Sequence, residues 1–287
     1  MAADSEHTYA GAVASSGQSH PGARLVLLGA SNLTRAISTV IETSRLMFSS
    51  PLEIFAAIGH GRSYGMRSRV LLRELPSILE CGLWDALAQT STRTRAESSK
   101  GEKTQTFALI TDVGNDIIYG ASPQKVAAWV EQCIERLLHH GASIAMTSLP
   151  IESIRAVQPW QFTIVKTMLF PRHKLTYEDA IRRANELHDL IVDLAQRRDV
   201  RIVESRATWY GFDPIHIRMR NWSEAWSEIL STCAMCGGDD QRCAKPSISR
   251  WLRLRMMTPQ KWWLAGREMS HPQPAGRFAD GTVISLF

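Results

Sequence analysis

The sequence predicts an α/β fold of three layers, with a five-stranded parallel sheet between two layers of helices. Three observations carry this. Five short, nearly continuous apolar runs rich in strand formers recur along the chain. Longer segments with apolar residues at helical spacing separate them. Most of the runs end in small, polar or glycine-containing turns. Alternation of this kind gives βαβ units and a sheet covered on both faces, an arrangement of flavodoxin-like type.

The strands fall at 23–29 (ARLVLLG), 52–59 (LEIFAAIG), 106–114 (TFALITDVG), 142–150 (ASIAMTSLP) and 200–205 (VRIVES). Helices are expected over 33–48, 66–80, 123–140, 177–198 and 221–233. Ser122-Pro123 is a helix start, followed by Val126, Val130, Ile134 and Leu137 on one stripe. Residues 90–105 hold one apolar residue, Ala96, and read as a solvated loop. The connection 151–176 is long and apolar, with Trp160, Phe162, Met168 and Phe170. It reads equally as a lid or pocket wall and as a short packed helix.

The hydrophobic share is 44% and the charged share 21%, which places the chain among ordinary globular proteins rather than disordered ones. No apolar run reaches the ~18 residues of a membrane span. Residues 1–22 are small and polar without a basic–apolar leader, and read as a disordered tail. A cytoplasmic location is therefore expected. Net charge is +5, of which +4 lies in residues 217–287. The near-neutral body argues against a nucleic-acid groove. Five cysteines and no leader imply reduced thiols.

In open parallel sheets ligands bind beyond the carboxyl ends of strands, where the winding reverses. The turns there hold Ser31, Gly59 and Gly61, Asn115, and Asp213 with His216. Ser31 lies between a strand and a helix, where helix N–H groups could serve a developing oxyanion. Taken alone, the turn reads first as the helix N-cap. Asp213 and His216, three residues apart around Pro214, could form an acid–base pair or a solvated turn. Asn115 could donate its amide into the crevice or make an Asx turn. Gly59 and Gly61 allow close backbone approach or simply a turn.

Taken together and in order, these segments resemble the sequence blocks of the SGNH (GDSL-like) serine hydrolases. Gly29-Ala30-Ser31-Asn32-Leu33 is similar to the G-D-S-L block, with Ser31 at the nucleophile. Residues 56–63 resemble the second block, whose oxyanion glycine falls on Gly61, or on Gly59 in the alternative register. Val113-Gly114-Asn115-Asp116 resembles G-x-N-D in shortened form, and Asp213-Pro214-Ile215-His216 the D-x-x-H block. Thr147-Ser148-Leu149-Pro150 is similar to the end of the family's fourth strand. The likeness spans roughly residues 23–235. It departs from the pattern at Ala30, where the family has Asp, and in lacking the second block's Asn.

The resemblance implies an esterase acting on a small-molecule ester through a Ser31 acyl-enzyme. His216 would be the base, Asp213 its orienter, and Asn115 and Gly61 part of the oxyanion hole. It implies no metal and no organic cofactor. Trp160, Phe162, Met168 and Phe170 become candidates for lining the substrate site and limiting acyl length. Neither the acyl and alcohol groups nor the oligomeric state follow from the sequence.

Three units are expected: the tail 1–22, a hydrolase domain 23–236 and a basic, Trp-rich extension 237–287. In the extension, Trp251, Trp262 and Trp263 stand among Arg250, Arg253, Arg255 and Lys261. They could pack on the domain. They could instead form an interaction surface, making the chain an SGNH-like binding protein of weak catalytic power. Cys233, Cys236 and Cys243 lack a fourth zinc ligand unless His271 supplies it, and no metal site is expected.

Overall fold

A computed structural model of the chain describes residues 21–48, 51–97, 104–161, 163, 167, 176–234 and 248–287. Most of the expected tail, together with Phe162, Met168, Phe170, Cys236 and Cys243, lies outside the described residues. The elements begin with β1 (Ala23–Leu28), α1 (Ser31–Met47), β2 (Leu52–Ala57), β3 (Ser68–Val70), β4 (Arg73–Leu75), α2 (Leu83–Glu97) and β5 (Gln105–Ile110). Then come α3 (Asn115–Ile118), α4 (Pro123–His139), β6 (Ser143–Thr147), α5 (Ile151–Arg155), α6 (Tyr177–Arg197) and β7 (Arg201–Val203). The described part closes with α7 (Trp222–Ala234), α8 (Ile248–Arg255), β8 (Lys261–Leu264), β9 (Arg267–Ser270), β10 (Gly276–Arg277) and β11 (Val283–Leu286).

Strand β1 is buried along its whole length and divides its side chains between two cores. Leu25 and Leu27 enter one, Val26 and Leu28 the other. Strand β2 does the same with Ile54 and Phe55, and β5 with Leu109 and Ala108. A period of two with both faces apolar is what a sheet between two helical layers requires. Helices α1 and α7 cover one face, burying Val40, Ile41, Trp226 and Leu230. Helices α4 and α6 cover the other with Val130, Ile134, Leu187 and Ile191. Ser122 caps α4 by accepting from Lys125 N at 3.3 Å, with Pro123 in the first turn as the sequence predicts.

The main sheet has the order β10-β11-β2-β1-β5-β6-β7. It contains seven strands rather than the five expected. The two added strands come from the C-terminal segment that the sequence sets apart as an extension. Strand β11 pairs in parallel with β2, Ile284 opposite Ile54, and Phe287 stacks on Phe55 with ring centres 5.9 Å apart. From β2 to β7 the order is flavodoxin-like, and the winding reverses between β1 and β5.

Two further expectations are corrected. The helix expected over 66–80 is instead the hairpin β3–β4, which pairs with β8 and β9 in a second, antiparallel sheet. Leu71 has a positive φ of 56°, and Leu71 and Leu72 form the exposed turn. Their apolar spacing imitated a helix, whereas the partner that selects the strand lies some 190 residues away, Glu74 pairing with Trp263. Residues 90–97 are not loop but the continuation of α2. In the second sheet the tryptophans are half-buried under cations: Arg67 lies 3.9 Å from the Trp263 ring centre and Arg73 5.8 Å from that of Trp262.

Candidate active site

The reversal point brings the turn after β1 beside the turn after β5. Gly29 leaves no room for a side chain: a Cβ there would stand 2.2 Å from Thr111 Oγ1. Ser31 follows as the first residue of α1. It is not the cap. The preceding Ala30 offers no side-chain cap, and α1 has no acidic residue in its first turn. Asp112, from the end of β5, supplies the missing acceptor. Its Oδ2 accepts from Ala30 N at 2.8 Å and from Asn32 N at 3.1 Å, and its Oδ1 accepts from Asn32 Nδ2 at 2.6 Å. The carboxylate therefore clamps the peptides on either side of Ser31, while the Ser31 N–H makes no hydrogen bond among the described residues.

Ser31 is 8% exposed, and its Oγ lies 2.8 Å from His216 Nε2. The other ring nitrogen, Nδ1, lies 2.6 Å from Asp213 Oδ2. Asp213 Oδ1 also accepts from Ile215 N at 3.2 Å, closing the turn around Pro214. Burial pushes the Asp213 carboxyl up. The His216 hydrogen bond and charge and the N–H groups of Ile215 and His216 outweigh it, and hold the carboxyl below the usual range.

Asn32 joins the two loops. Its Nδ2 donates to Ile215 O at 2.9 Å, and its Oδ1 accepts from Ile217 N at 2.9 Å. The residue after Ser31 thus grips the backbone on both sides of His216. The sequence reading placed Asn32 in the first block without a role and passed over Asp112 entirely. One signal was available for Asp112: a strand-end aspartate directly before Val-Gly-Asn-Asp. It adopts a left-handed φ of 59°, which Asp tolerates better than most residues.

Asn115 opens α3 and is 8% exposed, and its Nδ2 is buried without a hydrogen-bond partner. Asp116 turns the other way. Tyr64 N donates to its Oδ2 at 3.0 Å, and Ser63 Oγ donates to Oδ1, which secures the loop 59–65. Burial pushes the Asp116 carboxyl up to about 6, although these two donors pull against it. In that loop Gly61 has a φ of +60°, and Tyr119 Oη donates to its carbonyl at 2.6 Å. Gly59 lies deeper, and its carbonyl accepts from Arg62 N at 3.2 Å.

Next to this site a cavity of about 150 Å³ runs between α3, α5, α6, α7 and the 205–217 loop. Asn32, Asn115 and Ile215 are among its lining residues, and Leu149, Ile181 and Trp209 are among its apolar walls. Trp160 is not part of this lining. It is 58% exposed and packs on Phe212, the neighbour of Asp213, with ring centres 6.0 Å apart. Among the described residues no group of three or more His, Cys, Asp or Glu is placed to hold a metal ion. Cys233 is buried, its thiol 3.5 Å from Ala108 O. No helix of the described residues is long and apolar enough to cross a membrane.

No family model matches the chain, and no curated protein matches it. The solved structures it resembles include the psychrotrophic esterase EstA from Pseudoalteromonas sp., 13% identical over 80% of this chain and 98% of that one, with a TM-score of 0.40. TesA is 12% identical over 73% of this chain and 97% of its own, with a TM-score of 0.44. A member of the lipolytic protein G-D-S-L family from Veillonella parvula is 9% identical over 73% of this chain and 97% of its own, with a TM-score of 0.43. Each of the three is a structure to which this chain is similar over 73–80% of its own length.

Proposed function

We propose that this chain is a serine esterase, with Ser31 as nucleophile, His216 as general base and Asp213 as the group that orients the imidazole. The observation that carries the reading is the continuous relay from Ser31 Oγ to His216 Nε2 at 2.8 Å and from Nδ1 to Asp213 at 2.6 Å. A proton can pass from the hydroxyl to a ring whose other nitrogen donates to a carboxylate. Ser31 Oγ then attacks the acyl carbonyl. The Ser31 N–H, the Gly61 N–H and Asn115 Nδ2 receive the developing oxyanion. The unpartnered Asn115 amide supports this role, because a buried donor without an acceptor is costly unless a ligand completes it. His216 returns the proton to the departing alkoxide, and water then attacks the acyl-enzyme by the same route. These steps require neither metal nor organic cofactor.

Gly61 is preferred to Gly59 because its peptide is held by Tyr119 and lies nearer the surface. The acyl group is assigned to the cavity beside the serine, and Trp160 with Phe212 to its outer rim. A fluorophosphonate probe should label the native chain at Ser31 and should not label the Ser31→Ala variant. Labelling that survives Ser31→Ala, or ester turnover that survives it, overturns the assignment.

A further inference from the structure

A second cavity, of about 470 Å³, takes no part in the proposed chemistry. It is lined by Thr34 of α1, Gly59 of the loop after β2 and Ile284 of β11, and by Val70, Leu72 and Leu264 of the second sheet and its turn. Two observations place it beside the nucleophile. Thr34 is one turn beyond Ser31 on α1, about 4.5 Å further along the axis. Val70 Cγ2 stands 3.0 Å from where a Cβ on Gly61 would be, so the cavity lining packs on the loop assigned to the oxyanion. The first cavity meets the same helix on its other flank. At about 100° per residue, Asn32, which lines the first cavity, stands about 100° to one side of Ser31, and Thr34 about 60° to the other. Ser31 thus stands between the two.

The cavities differ in how they open. Among the described residues, none that lines the first cavity is exposed. The second reaches solvent through Leu71, Leu72 and Leu264, which line it and are exposed. Ester cleavage treats the two arms of a substrate differently. The acyl arm stays bonded to the serine until water removes it, and suits an enclosed site. The alcohol departs in the first step and needs a way out. At 470 Å³ against 150 Å³ the open cavity is also the larger, and it falls in the usual range of a ligand pocket, roughly 300–1,000 Å³. Its described lining holds no carboxylate, so a cationic alcohol finds no partner there. An anionic one would find only Arg73, which is exposed and lies over the Trp262 ring, with leucine, isoleucine and valine around the rest of it.

Resting on the esterase reading, we propose that this second cavity is the alcohol subsite, and that it selects esters of uncharged, apolar alcohols several carbons longer than ethanol. The hairpin β3–β4 and the C-terminal segment then form the wall that sets alcohol preference. The exposed leucines form the port through which the alcohol leaves.

The test uses two series of esters, both kept below the concentrations at which they aggregate. One fixes an acetyl group and lengthens a straight-chain primary alcohol from ethyl to octyl. The other fixes ethanol and lengthens the acyl group. The alcohols differ little in acidity, so leaving-group chemistry is held constant. For wild type kcat/KM should rise along the alcohol series by up to about fourfold for each methylene that enters the cavity. Leu72→Asp puts a carboxylate at the port, and Leu264→Trp narrows it. In both, the octyl-to-ethyl ratio of kcat/KM should fall toward one, while the acyl-length profile keeps its wild-type shape. A wild type that labels with fluorophosphonate and turns over esters, yet shows no rise along the alcohol series, overturns this inference and leaves the esterase reading standing. Variants that keep the alcohol profile, or that change the acyl profile instead, overturn it as well. A wild type that neither labels nor hydrolyses any ester overturns the esterase reading and this inference with it. The wild-type series needs no variant to fold.

Discussion

Asp112→Asn isolates the clamp around Ser31. Asn is nearly isosteric with Asp and tolerates the left-handed φ of 59° at this position, so the backbone is not the perturbed quantity. The native carboxylate accepts three N–H groups, at 2.8, 3.1 and 2.6 Å. An amide has one oxygen. If that oxygen faces Ala30 N and Asn32 N, the new NH₂ confronts Asn32 Nδ2, donor against donor. If it flips, the two backbone donors lose their acceptor. Hydrogen bonds to a charged group contribute about 1.5–3 kcal/mol each and neutral ones about 1. Losing one bond and weakening two should therefore cost roughly 2.5–7 kcal/mol in all. If about half of that falls on the placement of Ser31, turnover drops roughly 10- to 400-fold, at 1.36 kcal/mol per factor of ten. The remainder appears as a lower melting temperature. The assay is twofold: steady-state hydrolysis of an ester, and the second-order rate of fluorophosphonate labelling, which depends on the serine and not on substrate fit. A variant that melts lower yet labels and turns over at the wild-type rate would refute the positioning role and leave Asp112 a structural cap.

Asn115→Ala should lower kcat by roughly 10²-fold with KM little changed, because the amide is used only as charge develops on the oxygen; a change confined to KM would place it in ground-state binding. Asp213→Asn should keep the loop but disturb the imidazole's tautomer and charge, with turnover falling by up to about 10⁴-fold; a fall of less than about tenfold would remove Asp213 from the relay. Asp116 predicts a pH effect. Its folded value of about 6 lies above the ordinary 3.8, so the folded chain binds this proton more tightly. Its contribution to stability is full below pH about 4, declines as pH rises through 4–6 and is gone above that, at most about 3 kcal/mol. The difference in urea midpoint between wild type and Asp116→Asn should therefore shift against wild type between pH 4.5 and 7.5. A constant difference rejects the assignment.

Much of this protein is written locally. Strand β1 has five apolar residues among its six, and Ser122-Pro123 announces α4, because burial on both faces and helix capping are set by near neighbours. Ser31, Gly59, Gly61 and Asn115 were legible for a related reason: each follows closely on a strand end, where the topology of a parallel sheet collects ligand-facing groups, while Asp213 and His216 were legible as a pair spaced around Pro214. Where a pattern depended on distant partners, the sequence misled. Residues 66–80 have helix-like apolar spacing, yet β4 becomes a strand because β8 offers it an edge. The final residues read as an appendage, yet β11 joins the sheet beside β2. Asp112 and Asn32 carried no visible role, since one reaches across to the turn after β1 and the other bonds the backbone around a histidine 184 positions along the chain. Sequence composition and period determine which segments are buried and in what form. Only the tertiary structure decides which hydrogen-bonding groups meet, because a 2.8 Å contact between Ser31 and His216 is a property of how the turns are packed and not of either turn alone.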